Sequence, residues 1–398
     1  MLTQNKITFS MPLVGSFAFF NSASIGCFFV LIGWQAATIS EGAGLIGRVF
    51  LTGSLTNIFL SPVLGYVAEN GERQRLLIAS QLITVVVGFL PLVLFVVLQV
   101  PANELILHVL MFAFSALFNF SRFCLAPIMR DNFNSNAFSK LFSMISLGRK
   151  GGFALGSFIG GYLMTYLDFY VSFAALNVFL LASILLSSQF PQSRPAKEQP
   201  IKQYNALKQF KGFLEVVGHK NLLFYTVLWV VFSSIAAFIN TVLPDYVETV
   251  LQQTSTFYGW VETAGGLGGV LISVVVMYYP SIAVKASRNP AIFIAGVSFL
   301  VLALSSNQAL FVFIHFVLGA GVAYVNIIAS AKITESCDSD KLASFFATVT
   351  SLASAAGVAV YILPSFIAFT NYNLVYGLAG VLLLIVAFAV RPYVKPSG

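Results

Sequence analysis

Four ionisable side chains stand in strongly apolar surroundings. They are Arg122 in "LFNFSRFCLAPIMR", Arg149 and Lys150 in "GRKGGFALGSFIGG", and Glu262 in "YGWVETAGGLGG". A charge at a bilayer centre costs about 2.5–3.5 kcal/mol on insertion scales, so such groups mark functional sites. Three cations against one carboxylate suit the binding of an anion. The lone carboxylate can carry a proton, or it can form an ion pair with Arg149. His315 is a second candidate for proton coupling; its alternative is a helix histidine held by a hydrogen bond. Asn21, Gln35, Asn240, Tyr258, Trp260, Tyr324 and Asn326 are the polar and aromatic residues expected to complete a substrate cavity with Arg122 and Arg149. Lys150 lies 100° around a helix from Arg149, so the two make different contacts, and Lys150 is expected to reach an acid or another polar surface.

These residues need elements that place them together, and the composition says which. Of 398 residues, 58% are hydrophobic and 9% charged, against about 25% charged in a soluble globular protein. Such a chain cannot cover its own surface with polar groups, which excludes a soluble enzyme. Twelve apolar stretches are long enough to cross a hydrocarbon core of about 30 Å as helices: 11–36, 44–68, 76–100, 104–128, 140–166, 169–190, 221–246, 254–279, 288–306, 308–331, 342–369 and 371–390. They are continuously apolar, not alternating, which selects helices over a β-barrel.

Charge placement orients the bundle. Of 21 Lys+Arg, seventeen fall in loops and termini on one side, and Arg48, Arg122, Arg149 and Lys150 fall within spans. This asymmetry puts both termini in the cytoplasm. Arg48 is read as interfacial with Glu41. The net charge of +7 is explained by loops facing anionic lipid, without a nucleic-acid partner. Cys27, Cys124 and Cys337 have no metal-ligand spacing. The first apolar run lacks an A-x-A cleavage site and reads as a span rather than a removed signal peptide.

One basic, proline-containing stretch, 191–220, divides the chain into a six-helix half at 1–190 and another at 221–398. Part of the stretch, about 203–217, has the pattern of an amphipathic surface helix. Two halves around a central site are a secondary-transporter layout. "GLGG" at 266–269 lies inside a span and lacks the Lys-Ser/Thr of a P-loop, so no nucleotide cofactor is expected.

The connection "GYVAENGERQR" after the second span places Gly65, Glu69, Arg73 and Arg75 in a row. It resembles the G-x-x-x-D-R-x-G-R-R signature of the major facilitator superfamily, with Asn70 and Glu72 departing from it. The resemblance implies that these charges latch neighbouring helices and gate the transport cycle. Trp34 and Pro62 extend a likeness, over about 15–166, to the branch of macrolide and enterobactin exporters. "GGFALGSFIGG" resembles the span-5 antiporter signature G-x-x-x-G-P-x-x-G-G: Gly152, Gly156 and Gly160 match, and Ser157 stands at the proline. Such a ridge permits close helix packing and can serve as a gate hinge. Arg122 resembles the span-4 arginine of R-x-x-Q-G-x-G, which in the superfamily is associated with proton coupling and substrate binding.

The expectation is an all-α membrane protein of twelve helices in two halves, the major facilitator fold. It is read as a monomer of the bacterial inner membrane and not an enzyme. The resemblance implies export of a small organic molecule by proton antiport, and the cation excess within the spans suggests that the molecule is anionic, siderophore- or metabolite-like. The alternative is proton-coupled import of an anionic nutrient or iron–siderophore complex.

Overall fold

The computed structural model describes residues 10–39, 43–99, 101–134, 138–192, 220–279, 290–305, 307–336, 339–366 and 371–389. Among them run twelve helices: α1 (Met11–Ile39), α2 (Ala43–Asn70), α3 (Arg73–Leu98), α4 (Glu104–Asn132), α5 (Phe138–Tyr166), α6 (Phe169–Ser187), α7 (Lys220–Asp245), α8 (Ser255–Tyr278), α9 (Pro290–Leu304), α10 (Gln308–Ser336), α11 (Ser339–Phe366) and α12 (Tyr372–Ala389). A turn at Leu176 breaks α6, and a π-helical turn, Tyr246–Val250, follows Pro244 at the end of α7. Nine of these helices are long and apolar enough to span a membrane by length and composition. The other three are α5, which carries Arg149 and Lys150, and the shorter α9 and α12. Most of the basic linker, and the surface helix expected at 203–217, lie outside the described residues.

The local signals for these helices are physical ones. The helix starts of α4, α6, α10 and α12 are each capped by a side-chain oxygen. Asn103 accepts from the Ile106 N–H at 3.1 Å, Asp168 from Val171 at 2.8 Å, Asn307 from Leu310 at 3.0 Å and Asn371 from Leu374 at 3.1 Å. Such caps satisfy backbone donors that a helix leaves open. They stand in short connections without Lys or Arg at this end of the bundle. The other end carries Arg73, Arg75, Arg130, Lys140 and Lys332, and we call it the basic end. Buried polar groups between α3 and α6 satisfy one another: Gln81 donates to Ser183 Oγ at 2.7 Å and accepts from Ser187 Oγ at 2.9 Å.

Helix α5 is the axis of the packing. One face lies on α1 with almost no separation between backbones. A Cβ at Gly152 would overlap the Phe19 carbonyl oxygen, and one at Gly156 the Ala23 carbonyl oxygen. The opposite face crosses to α8. There Ser255 donates to the Gly161 carbonyl at 3.1 Å, Thr263 to Ala154 at 3.1 Å, and Ser273 to Ser146 Oγ at 2.8 Å. A second seam joins α2 to α11, where Ser351 donates to the Asn57 carbonyl at 3.1 Å and Phe50 stacks on Tyr361 at 5.7 Å. The first six helices and the last six therefore meet along two rails, α5–α8 and α2–α11.

The space between the rails is closed at both ends by named contacts. At the basic end Arg130 donates to the Thr334 carbonyl at 2.9 Å. Phe17, Met129, Ile145 and Phe346 form one apolar cluster there. At the opposite end Trp34 of α1 stacks on Tyr258 of α8 at 6.3 Å. Overpacking of this kind of contact costs about 1–3 kcal/mol. Gly156→Leu is therefore expected to lower the thermal midpoint of the purified protein in detergent, whereas Gly151→Ala, whose Cβ meets the Phe19 ring at 3.4 Å and Val270 at 3.7 Å in ordinary contact, leaves it within error. Equal midpoints for Gly156→Leu and the parent would contradict the close α1–α5 packing.

Candidate functional site

Three neighbouring chambers that share wall residues lie between the rails. The largest, about 280 Å³, is basic: Arg122 of α4, with Arg149 and Lys150 of α5, faces Asn21, Trp229 and Asn326. A second, about 200 Å³, is lined by α2, α4, α7 and α11 and shares Arg122, Trp229 and Ser233 with the first. A third, about 180 Å³, holds Asn240, Glu262 and His315 and shares Lys150 and Phe153 with the basic chamber. Arg122 and Lys150 thus stand in the walls shared by neighbouring chambers.

Helix geometry explains why these side chains converge. Arg149 and Lys150 follow Gly148 on α5, whose glycine face is taken by α1. Both cations are left half-buried at the cavity wall. The guanidinium of Arg122 lies over the Trp229 ring, 5.6 Å from its centroid, a geometry in which the ring face attracts the cation. Among the described residues none of these three cations has a carboxylate within ion-pair distance. Arg149 feels the like charge of Arg122, and Lys150 feels Arg149 on one side and Glu262 on the other. A cluster of this kind has a strong field for anions, because cavity walls of low dielectric screen it less than water would.

Glu262 is 9% exposed, and its Oε1 has no hydrogen-bond partner. Its nearest charged neighbour across the rail is Lys150, whose aliphatic stem rests on Gly269, two turns along α8 from Glu262. Glu262 makes no ion pair with Arg149; the charge it faces across the α5–α8 contact is Lys150, which also stands beyond ion-pair distance. His315 Nδ1 donates to the Phe311 carbonyl at 2.8 Å, which makes Nδ1 the protonated nitrogen. Its Nε2 has no partner and borders the Glu262 chamber.

Of the residues expected to line the cavity, Asn21, Arg122, Arg149, Asn240 and Asn326 do so, together with Glu262 and His315. Four others do not. Trp260 is 54% exposed on the outer surface of α8, because two residues on a helix differ by about 200° and Glu262 takes the inner face. Tyr324 and Asn326 are related in the same way: Asn326 faces the basic chamber and Tyr324 packs against the apolar core of the last six helices. Gln35 sits near the end of α1, away from the chambers. Tyr258 is buried in the Trp34 contact that closes the end opposite the basic one. The residues that sequence reasoning passed over are Trp229, Asn57 and Asn119. Asn119 had a legible signal, one helical turn before Arg122 on the same face.

The loop charges sit at the basic end. Arg73 is 1% exposed, and its Nη1 donates to Asp131 Oδ2 of α4 at 2.5 Å. Arg75 pairs with Glu72 at 2.6 Å on the surface. Gly65 is buried and Glu69 half-buried on the last turns of α2. The expected partner of Arg48, Glu41, lies outside the described residues; Arg48 instead makes a two-point contact with Glu104, at 2.9 and 3.3 Å. The second-half counterpart of the loop, "MYYPSIAVKASR", lies mostly outside the described residues.

A family model described as Major Facilitator Superfamily matches residues 14–305. The chain belongs to the major facilitator superfamily. Its fold is similar to that of the nucleoside transporter NupG, in a D323A mutant structure, with TM-score 0.70 at 14% identity over 96% of this chain and 99% of that one. It is also similar to the human organic anion transporter MFSD10, with TM-score 0.70 at 12% identity over 97% of this chain and 100% of that one. At these identities the likeness is one of fold. No curated protein matches the sequence significantly. The chain is thus a multi-pass membrane protein of a transporter superfamily.

Removing one partner of a buried, charge-assisted bond costs about 1.5–3 kcal/mol. Arg73→Ala is expected to destabilise the purified protein by about 2 kcal/mol, read from denaturant or thermal unfolding. Arg75→Ala, whose pair is exposed, changes stability by less than about 0.5 kcal/mol. Equal effects of the two substitutions would contradict the assignment of Arg73 as the buried latch.

Proposed function

We propose that this major facilitator is a proton-coupled carrier of a small organic anion, with the basic chamber as its binding site. The observation that carries the reading is the convergence of Arg122, Arg149 and Lys150 on one cavity of about 280 Å³ without a carboxylate in ion-pair contact. This volume is at the lower end of ligand pockets. It favours a metabolite-sized acid over a bulky siderophore. The clustering of Lys and Arg at one end supports placement in a bacterial inner membrane with both termini cytoplasmic.

The position of Lys150 supports a sign for the coupling. Lys150 borders both the basic chamber and the Glu262 chamber. When Glu262 is ionised it attracts Lys150 and weakens its hold on an anion. When Glu262 takes a proton, Lys150 is released to the anion. Anion and proton then load together, as in co-transport directed inward by the proton gradient. The antiport reading has its own support in the α5 glycine ridge and in the likeness to exporters, although Ser157 replaces the proline of that signature. An anion and a proton attract rather than displace one another, so the geometry favours co-transport.

Sealed vesicles of both orientations separate the readings. Right-side-out vesicles, acid outside, should accumulate a carboxylate from a labelled panel, and inside-out vesicles, acid inside, should not. Accumulation only in the inside-out set would establish proton antiport and overturn co-transport. Arg149→Ala and Arg122→Ala should each lower uptake at least tenfold; normal uptake by either would remove the basic chamber from the site. Glu262→Gln should permit anion exchange across the membrane while abolishing accumulation driven by the proton gradient.

A further inference from the structure

The chamber beyond Arg122 differs chemically from the one around Arg149. Arg122 is its one charged wall residue; the rest of its polar surface is amide and hydroxyl. Its chemistry is set by Asn119, whose Nδ2 donates to Asn57 Oδ1 at 2.8 Å and to the Ser115 carbonyl at 3.0 Å. A backbone carbonyl can only accept, so this contact fixes which end of the Asn119 amide is nitrogen. Asn57 must then turn its oxygen toward Asn119. Asn119 Oδ1 and Asn57 Nδ2 are left as one acceptor and one donor at the chamber wall, with no partner among the described residues. The hydroxyls of Ser233 and Ser354 line the same space from α7 and α11. Neither atom is sealed within the wall, so both are open to a molecule in the chamber. The chamber is therefore built for an occupant that both donates and accepts hydrogen bonds. Aromatic walls from Phe50 and Tyr361 suit the C–H faces of a polyol.

We propose that this chamber is a second, uncharged subsite, that the transported molecule is a polyhydroxylated organic acid of the sugar-acid class, and that its carboxylate lies at Arg122 and Arg149 while its hydroxyls reach Asn57 and Asn119. The proposal rests on the anion reading above and adds what the rest of the molecule must be. It follows from the placing of Arg122, the one side chain that borders both chambers together with Trp229 and Ser233. A hydroxyl-bearing tail would touch α2 and α4 on one side and α7 and α11 on the other. Binding would then bridge the two halves that must move.

The test is binding to the purified full-length protein in detergent, read by isothermal titration, with three six-carbon probes: gluconate, hexanoate and sorbitol. Gluconate is expected to bind at least tenfold more tightly than hexanoate. In Asn57→Leu, and in the milder Ser354→Ala, that ratio should fall, to within about twofold for Asn57→Leu, in samples that remain monodisperse. Equal affinity for gluconate and hexanoate, with both lost in Arg149→Ala, would overturn the subsite and leave the anion reading standing. Sorbitol binding that depends on Asn57, with gluconate no tighter than sorbitol, would uphold the hydroxyl subsite and overturn the anion reading. Failure of gluconate to bind at all overturns the proposal.

Discussion

A charge in the middle of a membrane must find water, a counter-charge or both, and the arrangement of this bundle follows from that constraint. Arg122, Arg149 and Lys150 cannot face lipid at a tolerable cost. Each therefore turns inward to a cavity, and the helices bearing them are turned with them. Lys150 and Glu262 answer one another across the α5–α8 rail. Arg122 finds the face of Trp229 across the gap between α4 and α7. The charges that the membrane penalises are thus the groups that join the two halves around one cavity.

The glycines of α5 make this geometry possible. Because α1 lies directly on the backbone at Gly152 and Gly156, α5 cannot roll, and Arg149 and Lys150 are held toward the cavity. Because α8 touches the other face through small residues and hydroxyls, that contact is close but lightly bonded. Close contacts between smooth helix faces permit sliding, which a rocking carrier needs. Further contacts between the halves lie at the ends, in the Arg130–Thr334 bond and the Trp34–Tyr258 stack. The Arg73–Asp131 bridge ties the α2–α3 connection to α4 at the basic end.

Much of the fold was legible because a bilayer imposes length and apolarity, and a run of about 20 apolar residues has few other readings. The twelve spans read from the sequence coincide with twelve helices, with ends displaced by a few residues where helices continue past the apolar core. The termination of α10 at Ser336 rather than 331 is an example. The site was legible where an ionisable group announced itself, as at Arg149 and Glu262. It was not legible where the residue type was ordinary. Trp229 and Asn57 have the same composition signal as many lipid-facing or packing residues, and only the crossing of α2, α4 and α7 gives them a role. Trp260 and Tyr324 were drawn in by residue type, although each lies two positions from a cavity residue, Glu262 and Asn326, and so on the opposite face. That Lys150 faces Glu262 was hidden for another reason: the two lie more than 100 residues apart, and no local pattern connects α5 to α8.

In the proposed cycle one lysine is shared between a carboxylate and the cargo, so that anion and proton bind together. Proton exchange on binding tests this most directly. Purified protein in nearly unbuffered solution with a pH-indicating dye is mixed with a bound carboxylate probe, and the proton change is followed in the parent and in Glu262→Gln. Proton uptake is expected in the parent and none in Glu262→Gln. Proton release in the parent, or uptake that is unchanged in Glu262→Gln, would contradict that cycle.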